Sequence, residues 1–154
     1  MSNKPLKKSD LKKGWMMPRK DRNIRIQPEY HLIVTEGTDT EPAYFNAIKN
    51  TINSRYPGRI QVDIHGEGDN TVSLIEKAWK LVQFSPNIYK HVWIVFDTDD
   101  FPSSRINKTV NLCKTSTRGE TEYHAVWSNQ CIKLWFLLHF SFFHSDINRR
   151  EYWP

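Results

Sequence analysis

Two short apolar segments, each ending in acidic residues, constrain this chain more than any other feature. Residues 30–35 and 91–96 are rich in β-branched and aromatic side chains, a pattern typical of buried β-strands. Carboxylates follow both segments directly: Glu36 after the first, and Asp97, Asp99 and Asp100 after the second. Because ligands of open α/β sheets bind outside the carboxyl ends of the strands, we expect these acids to converge on one crevice.

Carboxylates gathered in one crevice suit a hard divalent cation. Mg²⁺ is commonly held by one or two carboxylates together with a phosphate of the substrate, whereas clustered carboxylates without a cation raise one another's pKa values. We therefore predict that Glu36, Asp97 and Asp99, with Asp100 beside them, hold Mg²⁺ or Mn²⁺. The alternative is that the three aspartates are loop and cap acids ahead of a helix that begins near Pro102.

The composition indicates one globular domain preceded by a basic arm. The chain has 154 residues, of which 38% are hydrophobic and 25% are charged, enough for a single core. The longest apolar run, residues 134–138, is too short to cross a membrane, and no segment resembles a secretory signal, so we expect a cytoplasmic protein. We place a flexible arm at residues 1–27 and one domain at 28–154.

The arm carries more than the whole net charge of the protein. Residues 1–25 contain nine basic and two acidic residues, while the full chain has a net charge of +5. Such an arm suits a polyanionic partner, because lysine and arginine release counterions from nucleic-acid phosphates; the alternative is a solvated, disordered leader. The arm residues predicted to contact nucleic acid are Lys12, Lys13, Arg19, Lys20 and Arg22.

Hydrophobic periodicity predicts strictly alternating strands and helices. This order favours an α/β fold with a mostly parallel central sheet of about four strands and helices on both faces. The predicted strands are 30–35, 59–65, 91–96 and 122–127. The predicted helices are 41–54, a second that follows Asn70 and ends at Ser85-Pro86, 102–117 and 130–140.

Local signals add expectations about the helix ends and faces. Thr40, Asn70 and the Ser128-Asn129 pair are predicted to cap the first, second and fourth helices. The fourth helix is apolar nearly all round and is expected to be buried on several sides. The buried face of the first helix is predicted to comprise Tyr44, Phe45, Ile48 and Ile52.

Histidines and cysteines give weaker signals. His65, His124 and His139 lack the mutual spacing of metal ligands, so we interpret each as a packing or surface residue. Cys113 and Cys131 fit reduced, buried thiols and indicate no disulfide framework or zinc site.

Three motifs follow one another in order between about residues 30 and 140. They are Glu36-Gly37 with Thr40-Glu41-Pro42-x-Tyr44-Phe45, then Val95-Phe96-Asp97-x-Asp99, and finally Ser128-Asn129-x-Cys131-x-x-Leu134-Trp135-x-Leu137-Leu138-His139-Phe140. Together they resemble the RloB-like proteins, which are bacterial proteins with a Toprim-type fold. Topoisomerases, primases and overcoming-lysogenization-defect nucleases share that fold.

The resemblance implies a function and roles for particular residues. It implies a Mg²⁺-dependent nuclease of phage defence that cleaves DNA or RNA, including transfer RNA, and works with an AAA- or ABC-type ATPase partner. Asp97 and Asp99 would hold the metal, and Glu36 would act in acid/base or metal-linked chemistry. Glu41 would be a further ligand; the alternative is a first-turn acid that stabilises the helix dipole.

Two departures from the family pattern bear on activity. Gln130 stands where the family usually has proline, and Lys133 stands where it usually has glutamate. A protonated lysine cannot bind a cation, so Lys133 would either contact a phosphate or mark a degenerate subunit that binds a partner or nucleic acid.

The resemblance also implies a chain that is shortened at its C-terminus, because relatives usually continue past the fourth helix. Without that continuation, we expect apolar side chains to be exposed and available to a homodimer or another partner. These side chains are Trp135, Phe136, Phe142 and Phe143.

Overall fold

The alternation of strands and helices predicted from periodicity is present in the computed structural model, which describes residues 27–68, 70–98, 102–144 and 149–152. The strands and helices come in the predicted order, and a short 3₁₀ turn at Arg149–Glu151 follows them. The elements are β1 (Glu29–Thr35), α1 (Thr40–Arg55), β2 (Ile60–Gly66), α2 (Thr71–Phe84), β3 (Tyr89–Asp97), α3 (Ser103–Ser116), β4 (Glu122–Ser128) and α4 (Ile132–Leu138).

The four strands form one parallel sheet in the order β2-β1-β3-β4. The chain moves outward from β1 to β2 and then returns across the sheet to β3. The strand order therefore reverses between β1 and β3, which is the topological switch point where open α/β sheets bind ligands. The predicted fold class is confirmed, and the acids after β1 and β3 flank this point.

The hydrophobic core lies between the sheet and the pair α2 and α3. Leu32, Val34, Val92 and Ile94 supply fully buried side chains from the sheet centre. Facing them are Leu74, Ile75 and Ala78 of α2 and Cys113 of α3. Burial raises the pKa of the Cys113 thiol to about 11, so this cysteine is a packing residue.

The remaining two helices lie on the opposite face. Gly66 pairs with Thr35, and a Cβ atom at Gly66 would lie 2.7 Å from Cγ of Pro42 in α1. Helix α4 contacts α1, because the Trp135 indole N–H donates a 2.9 Å hydrogen bond to the Tyr44 hydroxyl. Helices therefore cover both faces, as predicted.

The start and the buried face of α1 differ from the prediction. Thr40 is the first helical residue, and Asp39 occupies the N-cap position without a side-chain cap hydrogen bond. Of α1, which is described throughout, only Glu41 is buried, and Ile48 is 37% exposed. The apolar stripe is only partly covered because α1 packs chiefly on the edge strand β2, which offers a narrow surface.

Asn70 caps α2 as predicted, but the predicted cap of α4 was wrong. Asn70 Oδ1 accepts hydrogen bonds from the N–H groups of Val72 and Ser73. In contrast, Cys131 is the N-cap residue of α4 and Ser128 belongs to β4, where its hydroxyl has another partner.

Helix α4 is also much less buried than its composition suggested. Ile132 is its one buried residue, and Trp135 is half exposed. Phe142 is exposed, as the resemblance implied, whereas Phe136 and Phe143 are partly covered. No helix within the described residues is long and apolar enough to span a bilayer.

Candidate metal centre

Glu36 and Asp97 meet at the topological switch point. The backbone N–H of Glu36 donates to the carbonyl of Val95 at 2.9 Å, so the chain leaves β1 alongside the end of β3. The Glu36 carboxylate then accepts a 3.2 Å hydrogen bond from the backbone N–H of Asp97. The structure thus brings together two acids that are 61 positions apart, and their role in metal binding stays a prediction.

Ser128 holds the Asp97 carboxylate from the neighbouring strand. The two residues are partners in the β3–β4 pairing, and the Ser128 hydroxyl donates to Oδ1 of Asp97. The backbone N–H of Thr98 also donates to the Ser128 carbonyl at 3.1 Å. Sequence reasoning missed this contact because it assigned Ser128 to a helix cap; only the strand register identifies it as the neighbour of Asp97.

Glu41 lies over the turn that carries Glu36. This side chain is only 7% exposed, and a Cβ atom at Gly37 would lie 2.0 Å from Glu41 Oε2. The close approach of the Glu41 carboxylate explains why position 37 is a glycine. Gly37 is not among the described residues with positive φ, so a left-handed turn is not the reason for it.

Further contacts fix the Glu36–Gly37 turn. The buried Thr35 hydroxyl donates to the Gly37 carbonyl at 2.8 Å. The backbone N–H of Gly68 donates to the Glu36 carbonyl at 2.9 Å. The segment from Gly66 to Gly68 is therefore a strand-to-helix turn, and it contacts the Glu36–Gly37 turn from the end of β2.

The donor atoms at this edge suit a hard cation. Glu36, Asp97 and Glu41 supply carboxylate oxygens, the ligand type that Mg²⁺ prefers. Helix α1 also points its N-terminal end toward the turn, which favours negative charge there. The residues that are present thus fit Mg²⁺ by chemical type.

Alanine at Gly66 and at Gly37 should have different effects on stability. At Gly66 the new methyl group would meet the Gly37 carbonyl and the Pro42 ring, both at 2.7 Å, so the backbone must shift. At Gly37 it would meet the movable end of the Glu41 side chain. We expect Gly66→Ala to lower the free energy of unfolding by about 1–3 kcal/mol and Gly37→Ala to lower it by less. Urea unfolding measures both; a larger loss for Gly37→Ala would contradict the contacts described.

The loop after β4 is organised around Gln130. Among described non-glycine residues, Gln130 alone has a positive φ, of 59°. Its backbone N–H donates to the Thr98 hydroxyl at 2.8 Å, and its side-chain carbonyl accepts from the buried Tyr152 hydroxyl at 3.2 Å. This loop therefore ties the C-terminal segment to the residue that follows Asp97.

Lys133 is exposed at the start of α4. It lines an apolar groove of about 460 Å³ that includes Thr40, the residue before Glu41. The other residues of the groove are Phe136, Leu137 and Phe140. An exposed ammonium group at this position can reach a polyanion that approaches the start of α1.

Several predicted site residues lie outside the described part of the chain. They are Asp99 and Asp100 after β3, and Lys12, Lys13, Arg19, Lys20 and Arg22 of the basic arm.

A second group of ionisable residues lies near the amino ends of β3 and β4. It consists of His91, Glu122 and His124, whose side chains approach one another closely. Burial, and then the neighbouring His91, lower the pKa of His124. The interpretation of His124 as a packing or surface residue agrees with its stacking on Trp93, but the sequence did not show that His91 and Glu122 lie beside it. The missed signal was the strand register, which pairs His91 with Glu122.

The fold and its acidic edge define a doubly wound α/β protein with carboxylates at the topological switch point. Within this class, the chain belongs to the RloB-like family: the family model described as RloB-like protein matches residues 31–154. The match includes all four helices and almost the whole sheet. No curated protein and no solved structure matches the chain.

Proposed function

We propose that this protein is a Mg²⁺-dependent nuclease of the Toprim type that acts in bacterial defence against phage. One observation carries the proposal: in an RloB-like chain, the Glu36 carboxylate lies at 3.2 Å from the backbone nitrogen of Asp97 at the switch point of the sheet. A phosphate group can approach acids at this position from the open end of the sheet, where ligands of α/β folds bind.

The proposed mechanism assigns separate tasks to the acids. Asp97 and Asp99 hold Mg²⁺, which supplies positive charge at the scissile phosphate when bound. Glu36 accepts the proton of the attacking water or acts as a further ligand. Ser128 orients the Asp97 carboxylate through its hydroxyl hydrogen bond, and Glu41 adds negative charge beside the turn.

Basic residues would hold the nucleic-acid backbone. The arm has a charge suited to phosphate contacts, which position a substrate without reading its sequence. Lys133, exposed near the start of α1, is placed to contribute one such contact. The substrate class, either DNA or RNA including transfer RNA, is left to experiment.

Metal removal tests the proposal directly. The full chain should be incubated with labelled duplex DNA, single-stranded DNA, messenger RNA and transfer RNA, in Mg²⁺ or in EDTA, with and without an added ATPase of the AAA or ABC type. We expect cleavage of at least one substrate in Mg²⁺ and none in EDTA. Cleavage that is equally fast in EDTA would contradict the metal-dependent mechanism.

Lys133 and the exposed residues in and just after α4 favour a second candidate, a catalytically degenerate subunit that docks a partner. Trp135, Leu138 and Phe140 are between 46% and 87% exposed, and such apolar surface suits an ATPase or a second copy of the chain. Lys133→Glu distinguishes the candidates. If the native chain is active, this change should leave its metal requirement in place; if cleavage appears only in the variant, the native chain is degenerate.

A further inference from the structure

The cluster of His91, Glu122 and His124 presents three metal-binding atoms on one face of the sheet. His91 and Glu122 are partners across β3 and β4, and His124 lies two residues along β4 on the same face. His91 Nδ1 is 3.0 Å from His124 Nε2. Glu122 Oε2 lies 3.6 Å from the first of these nitrogens and 3.8 Å from the second.

These separations match the edges of a tetrahedral site. Nitrogen and oxygen ligands lie about 2.0–2.2 Å from Zn²⁺, so two ligands at a tetrahedral angle are about 3.3–3.5 Å apart. The three observed distances of 3.0, 3.6 and 3.8 Å fall on either side of that value. A zinc ion would therefore need only small side-chain movements.

We propose that His91, Glu122 and His124 form a transition-metal site, for Zn²⁺ or an ion of similar preference, that is distinct from the carboxylate edge. Imidazole nitrogens favour zinc, copper, iron and nickel over magnesium, which prefers oxygen. His91 precedes Asp97 by six positions on the same strand, which separates the two sites by about 20 Å. This proposal does not depend on the nuclease assignment.

Neighbouring side chains hold the two imidazole rings in place. Trp93 stacks on His124 with ring centroids 4.3 Å apart. The other nitrogen of His91, Nε2, faces Glu29 Oε1 at 3.8 Å. A carboxylate facing the second nitrogen of a ligating histidine is a common means of orienting the ring in metal sites.

The position of the cluster suggests what the metal does. Strand β4 lies at the edge of the sheet, and its Val126 and Trp127 are exposed. A metal bound by His91 of β3 and by Glu122 and His124 of β4 would join the edge strand to the centre of the sheet. Three protein ligands leave a fourth position for water, and the cluster is only partly buried.

Metal titration of the full chain tests the site. After dialysis against EDTA, Zn²⁺ binding is measured by calorimetry in an excess of Mg²⁺, and Co²⁺ binding is followed by absorption. We expect one Zn²⁺ per chain, an absorption spectrum typical of tetrahedral Co²⁺, and a higher melting temperature with Zn²⁺. The His91→Ala/His124→Ala variant should bind Zn²⁺ about 100-fold more weakly or worse.

Matched controls separate this site from other ligands. The His65→Ala/His139→Ala variant also loses two imidazoles but should retain full affinity, and Asp97→Asn should retain the stoichiometry. Glu122→Gln, which keeps the size of the side chain, should weaken binding about tenfold and alter the Co²⁺ spectrum even if the alanine variant fails to fold. Absence of Zn²⁺ binding by the native chain, or equal binding by Glu122→Gln, would show a hydrogen-bonded histidine pair only and overturn the proposal.

Discussion

Replacement of Asp97 and Asp99 together by asparagine is expected to lower Mg²⁺-dependent cleavage of nucleic acid by about a thousandfold or more. A bound metal contributes several kcal/mol of charge stabilisation in phosphoryl chemistry, and about 4 kcal/mol corresponds to three orders of magnitude in rate. Asparagine retains an oxygen that can accept the Ser128 hydrogen bond to position 97. The rate should therefore fall through lost metal binding and not through lost folding. Single-turnover cleavage rates at several Mg²⁺ concentrations measure the effect.

A matched variant controls for the change in net charge. Glu76 and Glu120 are exposed acids on α2 and in the loop before β4, so Glu76→Gln/Glu120→Gln removes the same two charges away from the carboxyl edge. This variant should cleave at the native rate, and thermal unfolding should show both variants folded. Native-like cleavage by the double asparagine variant would remove Asp97 and Asp99 from the metal site and refute the proposed mechanism.

Gln130→Pro is expected to lower the free energy of unfolding by about 3 kcal/mol. Proline fixes φ near −65°, whereas Gln130 has a φ of 59°. Proline also lacks the N–H group that Gln130 donates to the Thr98 hydroxyl. Urea unfolding followed by tryptophan fluorescence measures the loss.

Gln130→Gly is the control for this prediction. Glycine adopts positive φ readily and keeps the backbone N–H, but it loses the side-chain contact with Tyr152. These effects oppose each other, so its stability should lie within about 1 kcal/mol of the native value. If proline and glycine were equally tolerated, the left-handed conformation at position 130 would not be a stable feature of the loop.

The elements of the sheet were predictable because their signals are local. Residues 30–35 and 91–96 alternate with helical patterns, and alternation of this kind favours a parallel sheet whatever the distant contacts are. Convergence of Glu36 and Asp97 followed from similar reasoning, since both acids come directly after strands of one predicted parallel sheet. The cap at Asn70 was predictable for the same reason: its hydrogen bonds stay within three residues.

Predictions failed where a residue has a partner far along the chain. Serine is a residue type common at helix N-caps, yet the Ser128 hydroxyl donates to the Asp97 carboxylate because β4 pairs with β3. The apolar composition of α4 suggested burial, but burial depends on what packs against the helix, and α4 makes few contacts with the rest of the described chain. The contact of His124 with His91 was not predicted either, because only the strand register brings the two residues together.

By itself, the sequence determined the class of fold, the order of its elements and two acids at one edge of the sheet, because hydrophobic periodicity and strand-end residues act over short distances. Only the tertiary structure decided how those acids are held, why Gly37 is a glycine, and which histidines meet. Strand order and register bring together residues about 30 to 60 positions apart, and no local pattern encodes that pairing.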